Sequence, residues 1–197
     1  MKLFKRKPKQ QRINILIQNT KYTLPTVEEI TVGQYINIFN LLTTKDQLEF
    51  TYDVLKILIP NIPIENADVN DIFKIYQHIC KLLVDVNKIY KQKDSITINN
   101  YSYNIINKLG NVSGNEFLHI NSLMSEQPLP YNKIAAVLYR PKGEKYDGDK
   151  IISRYDEFLN AKFIDVSGVL SFFLKFANNS LASVQNYLED LQKVQTK

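Results

Sequence analysis

The feature that most constrains this chain is a restatement. Ser95–Arg140 repeats, about 82 residues later, the order of signals in Arg12–Pro60. In the first stretch Ile13, Ile15 and Ile17 alternate through Arg12–Gln18, the period-2 mark of a half-buried strand. Asn19-Thr20 is expected to turn the chain, Lys21–Leu24 to return it, and Pro25 to end the hairpin. The second stretch reads Ser95–Ile98, Asn99-Asn100 and Tyr101–Ile105, and paired asparagines tolerate the positive φ of a tight turn. Thr31-Val-Gly-Gln34 and Ser113-Gly-Asn-Glu116 then each present a helix-opening capping box. Thr31 matches Ser113, Gln34 matches Glu116, Tyr35 matches Phe117 and Ile38 matches Ile120, all at one offset.

The helices follow from spacing. Tyr35, Ile38, Phe39 and Leu42 repeat at helical intervals and are expected to face the core. Thr44-x-x-Gln47 reads as another box, opening a helix through Phe50, Val54, Ile57 and Leu58 that Pro60 stops. Asp68-Val-Asn-Asp71 opens the longest helix of the first half. Its stripe is Ile72, Ile75, Tyr76, Ile79, Leu82, Leu83 and Val86, and it is expected to run to about Tyr90. In the second half Phe117, Ile120, Leu123 and Met124 form one helix. Tyr131, Ile134, Val137 and Leu138 form the next, which Pro141 ends. Asp165-Val-Ser-Gly168 opens a helix carrying Val169, Leu170, Phe172, Phe173 and Phe176, an aromatic stripe read as core. Its offset from Asp68 is about 97, so some 15 residues have been added around Pro141–Asp156, including a polar loop and a short helix over Ile151–Leu159. A last amphipathic helix runs through Leu181, Val184, Leu188 and Leu191.

These readings predict an α+β, mainly α fold, with a hairpin-plus-helices unit duplicated and packed on its copy as a pseudo-dimer. The expected divisions are a basic flexible tail at 1–11, a first unit at 12–92, and a second at 93–197. That second unit holds the inserted loop (about 141–156) and the C-terminal helix.

Charge is distributed unevenly. The chain of 197 residues carries 25 basic and 20 acidic side chains, but Lys2, Lys5, Arg6, Lys7, Lys9 and Arg12 all lie in its first twelve residues. Without those six the remainder has 19 basic against 20 acidic residues, so the folded part is near neutral and the basicity is a tail. The tail reads either as a solvated solubility segment or as an electrostatic arm for nucleic acid or an acidic protein surface. No aromatic interleaving in it favours base stacking. No run reaches the ~18 apolar residues of a membrane span, and the N-terminal charges precede no apolar segment of a secretory signal. A cytoplasmic location, the chain's own or a host's, is the default expectation.

Reactive side chains are sparse. Cys80 is the sole cysteine, which excludes an intramolecular disulfide. It lies in an apolar helical run and reads as a small buried hydrophobe. His78 and Cys80, two residues apart on a helix, point in different directions and cannot chelate one metal, while His119 has no clustered partner in sequence. The six glycines form no phosphate loop. Glu144, Asp147 and Asp149 read as a solvated loop rather than a cation site. No catalytic residue, metal or cofactor is therefore expected. Tyr139, Arg140, Lys142, Lys145 and Tyr146 admit two readings: a helix C-terminus with cations at the negative end of its dipole, or a protein-interface loop.

Two groups of residues carry a family likeness. Glu29-Ile-Thr-Val-Gly-Gln-Tyr-Ile36, then Leu55–Pro60, then Ala67-Asp-Val-Asn-Asp-Ile-Phe73, resembles the layout of tail assembly chaperones and related small morphogenesis proteins of tailed phages. Ile134-Ala-Ala-Val-Leu-Tyr-Arg-Pro141, with Tyr146 and Phe172-Phe173, is similar to structural-module proteins of Bacteroidetes phages, including the crAss-like group. The likeness covers most of Thr23–Phe173, and the basic tail is not part of it. It implies a non-enzymatic virion protein of the head–tail connector, tail or packaged cargo, present in the virion or the host cytoplasm. Its partners would be portal, ring, tail or tape-measure proteins within an oligomeric assembly, with weak DNA contact through the arm. Two alternatives stand beside it: a tail assembly chaperone that leaves before maturation, and a small DNA-binding regulator using the arm. The regulator reading lacks a helix with a cationic face.

Overall fold

The computed structural model describes residues 12–42, 46–86, 91–106 and 112–169. The tail at 1–11, Thr44, the expected end of the longest helix, the aromatic stripe Phe172, Phe173 and Phe176, and the last amphipathic helix lie outside them. The fold is mixed, with helices predominating over two small antiparallel sheets. The chain divides into a first unit, Met1–Ile30 with Gln34–Lys88, and a second, Thr31–Gly33 with Ile89–Lys197.

The first unit begins with strands β1 (Asn14–Ile17) and β2 (Thr20–Thr23), paired with Asn14 opposite Thr23 and Ile17 opposite Thr20. Ile15 and Ile17 are buried and Leu16 is exposed, as the alternation requires. The turn, however, is Gln18-Asn19, with φ of 48° and 64°, one residue earlier than expected. A two-residue loop that matches the twist of its strands needs positive φ at both positions. The β-branched Thr20 resists positive φ, so it opens β2 instead. After a 3-10 turn at Val27–Glu29 comes helix α1 (Val32–Leu41), with Tyr35 and Ile38 buried. Phe39 and Leu42, expected in the core, stand exposed, and Phe39 lies against the Tyr35 ring at 6.2 Å.

Helix α2 (Gln47–Leu58) is capped by Asp46, whose carboxylate accepts from the N–H groups of Leu48 and Glu49 at 2.9 Å each. Gln47 is thus the first helical residue and not the third residue of a box. A carboxylate at this position takes up free helix donors and suits the positive end of the dipole. Helix α3 (Val69–Val86) is the longest described, and Asp68 accepts from Asp71 N–H at 2.9 Å. It buries Ile75, Ile79, Leu82 and Val86, together with Asp71, His78 and Asp85. The expected stripe residues Ile72, Tyr76 and Leu83 are only half-buried, so the inner face is rotated toward the polar positions. His78 Nε2–H donates to the Pro25 carbonyl at 2.8 Å, tying α3 to the end of the hairpin.

The second unit is built on a three-stranded sheet, β3 (Ser95–Ile98), β4 (Tyr101–Ile105) and β5 (Tyr139–Arg140), in that order. The β3–β4 turn is Asn99-Asn100, with φ of 48° and 68°, as predicted. Helix α4 (Gly114–Met124) starts in the predicted Ser113–Glu116 box. Helix α5 (Tyr131–Leu138) is the hydrophobic centre, with Ile134 through Leu138 all buried. The helical end expected just before Pro141 is displaced: the chain leaves α5 at Leu138 and becomes β5, pairing Tyr139 with Ile105 and Arg140 with Asn104. No local signal announces this third strand, since its partner residues are 34 to 36 positions away. The short helix expected over Ile151–Leu159 is two, α6 (Gly148–Ile152) and α7 (Tyr155–Phe158), broken at Ser153-Arg154. A further helical run occupies 163–169, starting two residues before the expected opening at Asp165.

Thr31–Gly33 belong to this second unit. Thr31 bridges Lys162, and the Val32 and Gly33 N–H groups donate to the Ala161 and Leu159 carbonyls at 2.9 Å each. A Cβ on Gly33 would stand 3.3 Å from the Leu159 carbonyl oxygen, so the glycine permits this close approach.

Candidate functional site

The polar centre of the second unit gathers around Glu116. Its Oε2 accepts from the Ser113 N–H at 2.6 Å, and its own N–H donates to Ser113 Oγ at 3.3 Å. Arg140 Nη2 approaches the other carboxylate oxygen to 2.9 Å, as an ion pair without hydrogen-bond alignment. Both residues are buried, Glu116 to 1% exposure and Arg140 to 9%. One carboxylate thus fixes the start of α4 and neutralises the cation that β5 brings into the interior. Beside Arg140, Tyr139 is fully buried and donates its hydroxyl to the Lys93 carbonyl at 2.8 Å. Burial, and then the carboxylates of Asp165 and Asp94, push the Tyr139 hydroxyl well above the usual phenol range.

A second cluster joins α4 to the loop before α6 and to α7. His119 Nδ1 lies 3.0 Å from the Tyr146 hydroxyl and Nε2 lies 2.6 Å from the Tyr155 hydroxyl. A neutral imidazole has one donor and one acceptor nitrogen, so one tyrosine receives a proton and the other donates one. Desolvation lowers the His119 pKa from 6.5 and pushes Tyr155 up to about 12, while burial and then Glu116 raise Tyr146. All three shifts favour the neutral forms at neutral pH.

The third cluster is Arg154 with its acids. Arg154 Nη2 pairs with Glu144 Oε1 at 2.7 Å, and its guanidinium lies 5.9 Å over the Tyr103 ring. Tyr103 donates to Glu157 Oε2 at 2.8 Å, and burial followed by that carboxylate pushes its pKa up to about 12. Asp147 caps α6 through the Lys150 N–H at 3.3 Å. Glu144 and Asp147 of the inserted loop therefore have structural partners. Among the described residues no group of three His, Cys, Asp or Glu side chains could hold a metal.

The residues singled out in sequence are dispersed by the fold. Tyr139 and Arg140 are interior residues of β5, Tyr146 is half-buried against His119, and Lys142 and Lys145 are exposed. Arg12 is ion-paired with Glu29 at the foot of the hairpin. Lys2, Lys5, Arg6, Lys7 and Lys9 lie outside the described residues. Cys80 is half-buried rather than buried.

The first unit adds a surface of which only Ile72 and Tyr76 belong to the stripe expected to face the core. Gln47, Leu48 and Thr51 of α2 and Val69, Ile72, Phe73 and Tyr76 of α3 line an apolar groove of about 330 Å³. Leu48, Val69 and Phe73 are more than half exposed there. The missed signal was the breadth of apolar residues around α3, wider than one buried face needs. Such a groove offers shape and dispersion to an apolar side chain, and no reactive group. No helix among the described residues is long and apolar enough to cross a membrane. No protein-family model, no curated protein and no solved structure matches this chain.

Proposed function

We propose that the protein is a non-enzymatic structural protein of a tailed-phage virion, acting through protein–protein contacts at the head–tail connector, the tail or a packaged-cargo region. The observation that carries this reading is a division of labour. Glu116, Arg140, His119, Tyr146, Tyr155, Arg154 and Glu144 of the second unit are engaged with one another, while the first unit exposes an uncharged apolar groove. An exposed apolar patch of this kind marks an interaction surface. The motif likeness of Glu29–Ile36 and Ile134–Pro141 supplies the setting, virion or host cytoplasm, and the class of partner: portal, ring, tail or tape-measure proteins.

The same proposal includes the origin of the chain by duplication of a hairpin-plus-helices unit, its copies covering one another as a pseudo-dimer. Support comes from the two hairpins, each closed by a two-residue turn with positive φ throughout, and from the helix that follows each. The chaperone reading stays beside it, because the groove would also take an apolar segment of a tape-measure protein before assembly. The regulator reading is weaker, since the sequence offers no core helix with a cationic face.

Mass spectrometry of purified, nuclease-treated particles of the encoding phage tests this. Peptides in stoichiometric ratio to the capsid protein, as a ring would supply, support the virion reading. Absence from particles with abundance in infected lysate selects the chaperone. Absence from both overturns the proposal.

A further inference from the structure

Helix α3 buries two carboxylates, Asp71 and Asp85, while its solvent side carries an apolar strip flanked by Lys74 and Lys81. Taking about 100° per residue, the buried positions Asp71, Ile75, His78, Ile79, Leu82, Asp85 and Val86 lie on one side. The opposite side carries Val69, Phe73, Tyr76, Cys80 and Val84, which fall within an arc of about 80°. Val69 is 67% exposed, Phe73 62% and Val84 65%. No Asp, Glu, Lys or Arg occurs among these five, over a strip about 24 Å long.

Four of the five positions in that strip are symmetric, and the fifth, Tyr76, falls beside the centre opposite Gln77. Reflected about a point midway between Tyr76 and Gln77, Val69 exchanges with Val84 and Phe73 exchanges with Cys80. An antiparallel copy of the same helix would therefore lay valine on valine at both ends. It would set each large phenylalanine against a small cysteine, the large-against-small alternation by which helices interdigitate. A twofold interface requires this self-complementarity, and it would place any charge on the strip near its own kind. The uncharged strip avoids that repulsion.

We infer that the outer face of α3 is a homodimer interface, two copies packing antiparallel across a twofold axis near Tyr76 and Gln77. Leu48 of α2, at the edge of the same groove, extends the contact. A contact confined to one helix face and the edge of a groove is smaller than the ~800 Å² per partner of a standard specific interface, so the dimer should be weak and concentration-dependent. This deepens the assembly reading without resting on it, because dimerisation is read in solution and particle incorporation in the virion.

The test is sedimentation velocity of the full chain up to about 100 μM. The expected result is a reversible shift from monomer to dimer. Phe73→Glu should weaken it at least about tenfold, with unchanged helical circular dichroism because Phe73 is mostly exposed. Leu118→Glu, at an equally exposed position on α4, should leave it intact. A cross-link gives an independent readout in a glutathione redox buffer, where oxidised glutathione takes up the two electrons as a disulfide forms. Phe73→Cys should then be trapped as a dimer through Cys80 of the second copy. The parent chain should not, because its two Cys80 residues lie seven positions out of register, about 10 Å along the helix. A monomer at every concentration, a dimer indifferent to Phe73→Glu, equal loss with Leu118→Glu, or equal cross-linking of parent and Phe73→Cys would overturn the inference.

Discussion

Glu116 does two things with one side chain: it closes a capping box and it neutralises a buried arginine. Glu116→Ala should therefore cost more than the ~1 kcal/mol of a lost cap, because Arg140 would be left unpaired in the interior, a defect worth about 3–5 kcal/mol. Glu116→Gln keeps an acceptor for the Ser113 N–H and should cost less. The midpoints of urea unfolding rank the two. His119 gives a pH-dependent counterpart. Desolvation holds its folded pKa below 6.5, so the unfolded chain binds the proton more readily. Its contribution to stability is complete above pH 6.5 and is lost as pH falls from there through the lower folded value. Urea midpoints should decline across that window in the parent and decline less in His119→Gln, in which the titration is gone. Of these residues, only the box was legible beforehand. Arg140 and the two tyrosines reach Glu116 and His119 from 24 to 36 positions away, and no local pattern announces such pairs.

At the scale of elements, the hairpins show how far turn chemistry can be read. Both loops hold positive φ at two consecutive residues, an arrangement asparagine tolerates and most side chains resist. The second hairpin has Asn99-Asn100 and was located correctly. The first has Gln18 where asparagine would serve better, and the turn was placed one residue late. Gln18→Asn should stabilise the first unit by about 0.5 kcal/mol, and Asn99→Ala should destabilise the second by about 1 kcal/mol, both measured from denaturation midpoints. Helix α3 shows the opposite limit. Its apolar residues cover too much of its circumference to reveal which side is inward, and the side chosen carries Asp71, His78 and Asp85. His78 is suited there by the Pro25 carbonyl, a partner 53 residues upstream.

For the whole molecule, the basic arm and the apolar strip make separable predictions. Removing residues 1–11 takes away Lys2, Lys5, Arg6, Lys7 and Lys9. If the arm contacts nucleic acid, the slope of log affinity against log salt should fall by about 3.5 on that removal, read by titration with single-stranded DNA. A full chain with no measurable DNA affinity at low salt would remove the regulator reading. Dimerisation through α3 should be indifferent to the same deletion, since the strip is uncharged.

Local signals along the chain set the order of its elements: hairpins, turn positions to within a residue, Asp68 and Ser113 at helix starts, and the mixed, mainly helical class. Those features depend on neighbours within about one helical turn or one hairpin, where spacing and backbone preference act directly. Long-range packing is what makes Tyr139-Arg140 leave α5 as a strand, brings Arg140 to Glu116, sets His119 between two tyrosines, and selects the face of α3 that looks outward. In each case the outcome depends on what packs opposite. Burial is a property of a pair of surfaces, and one stretch of chain carries only its own half.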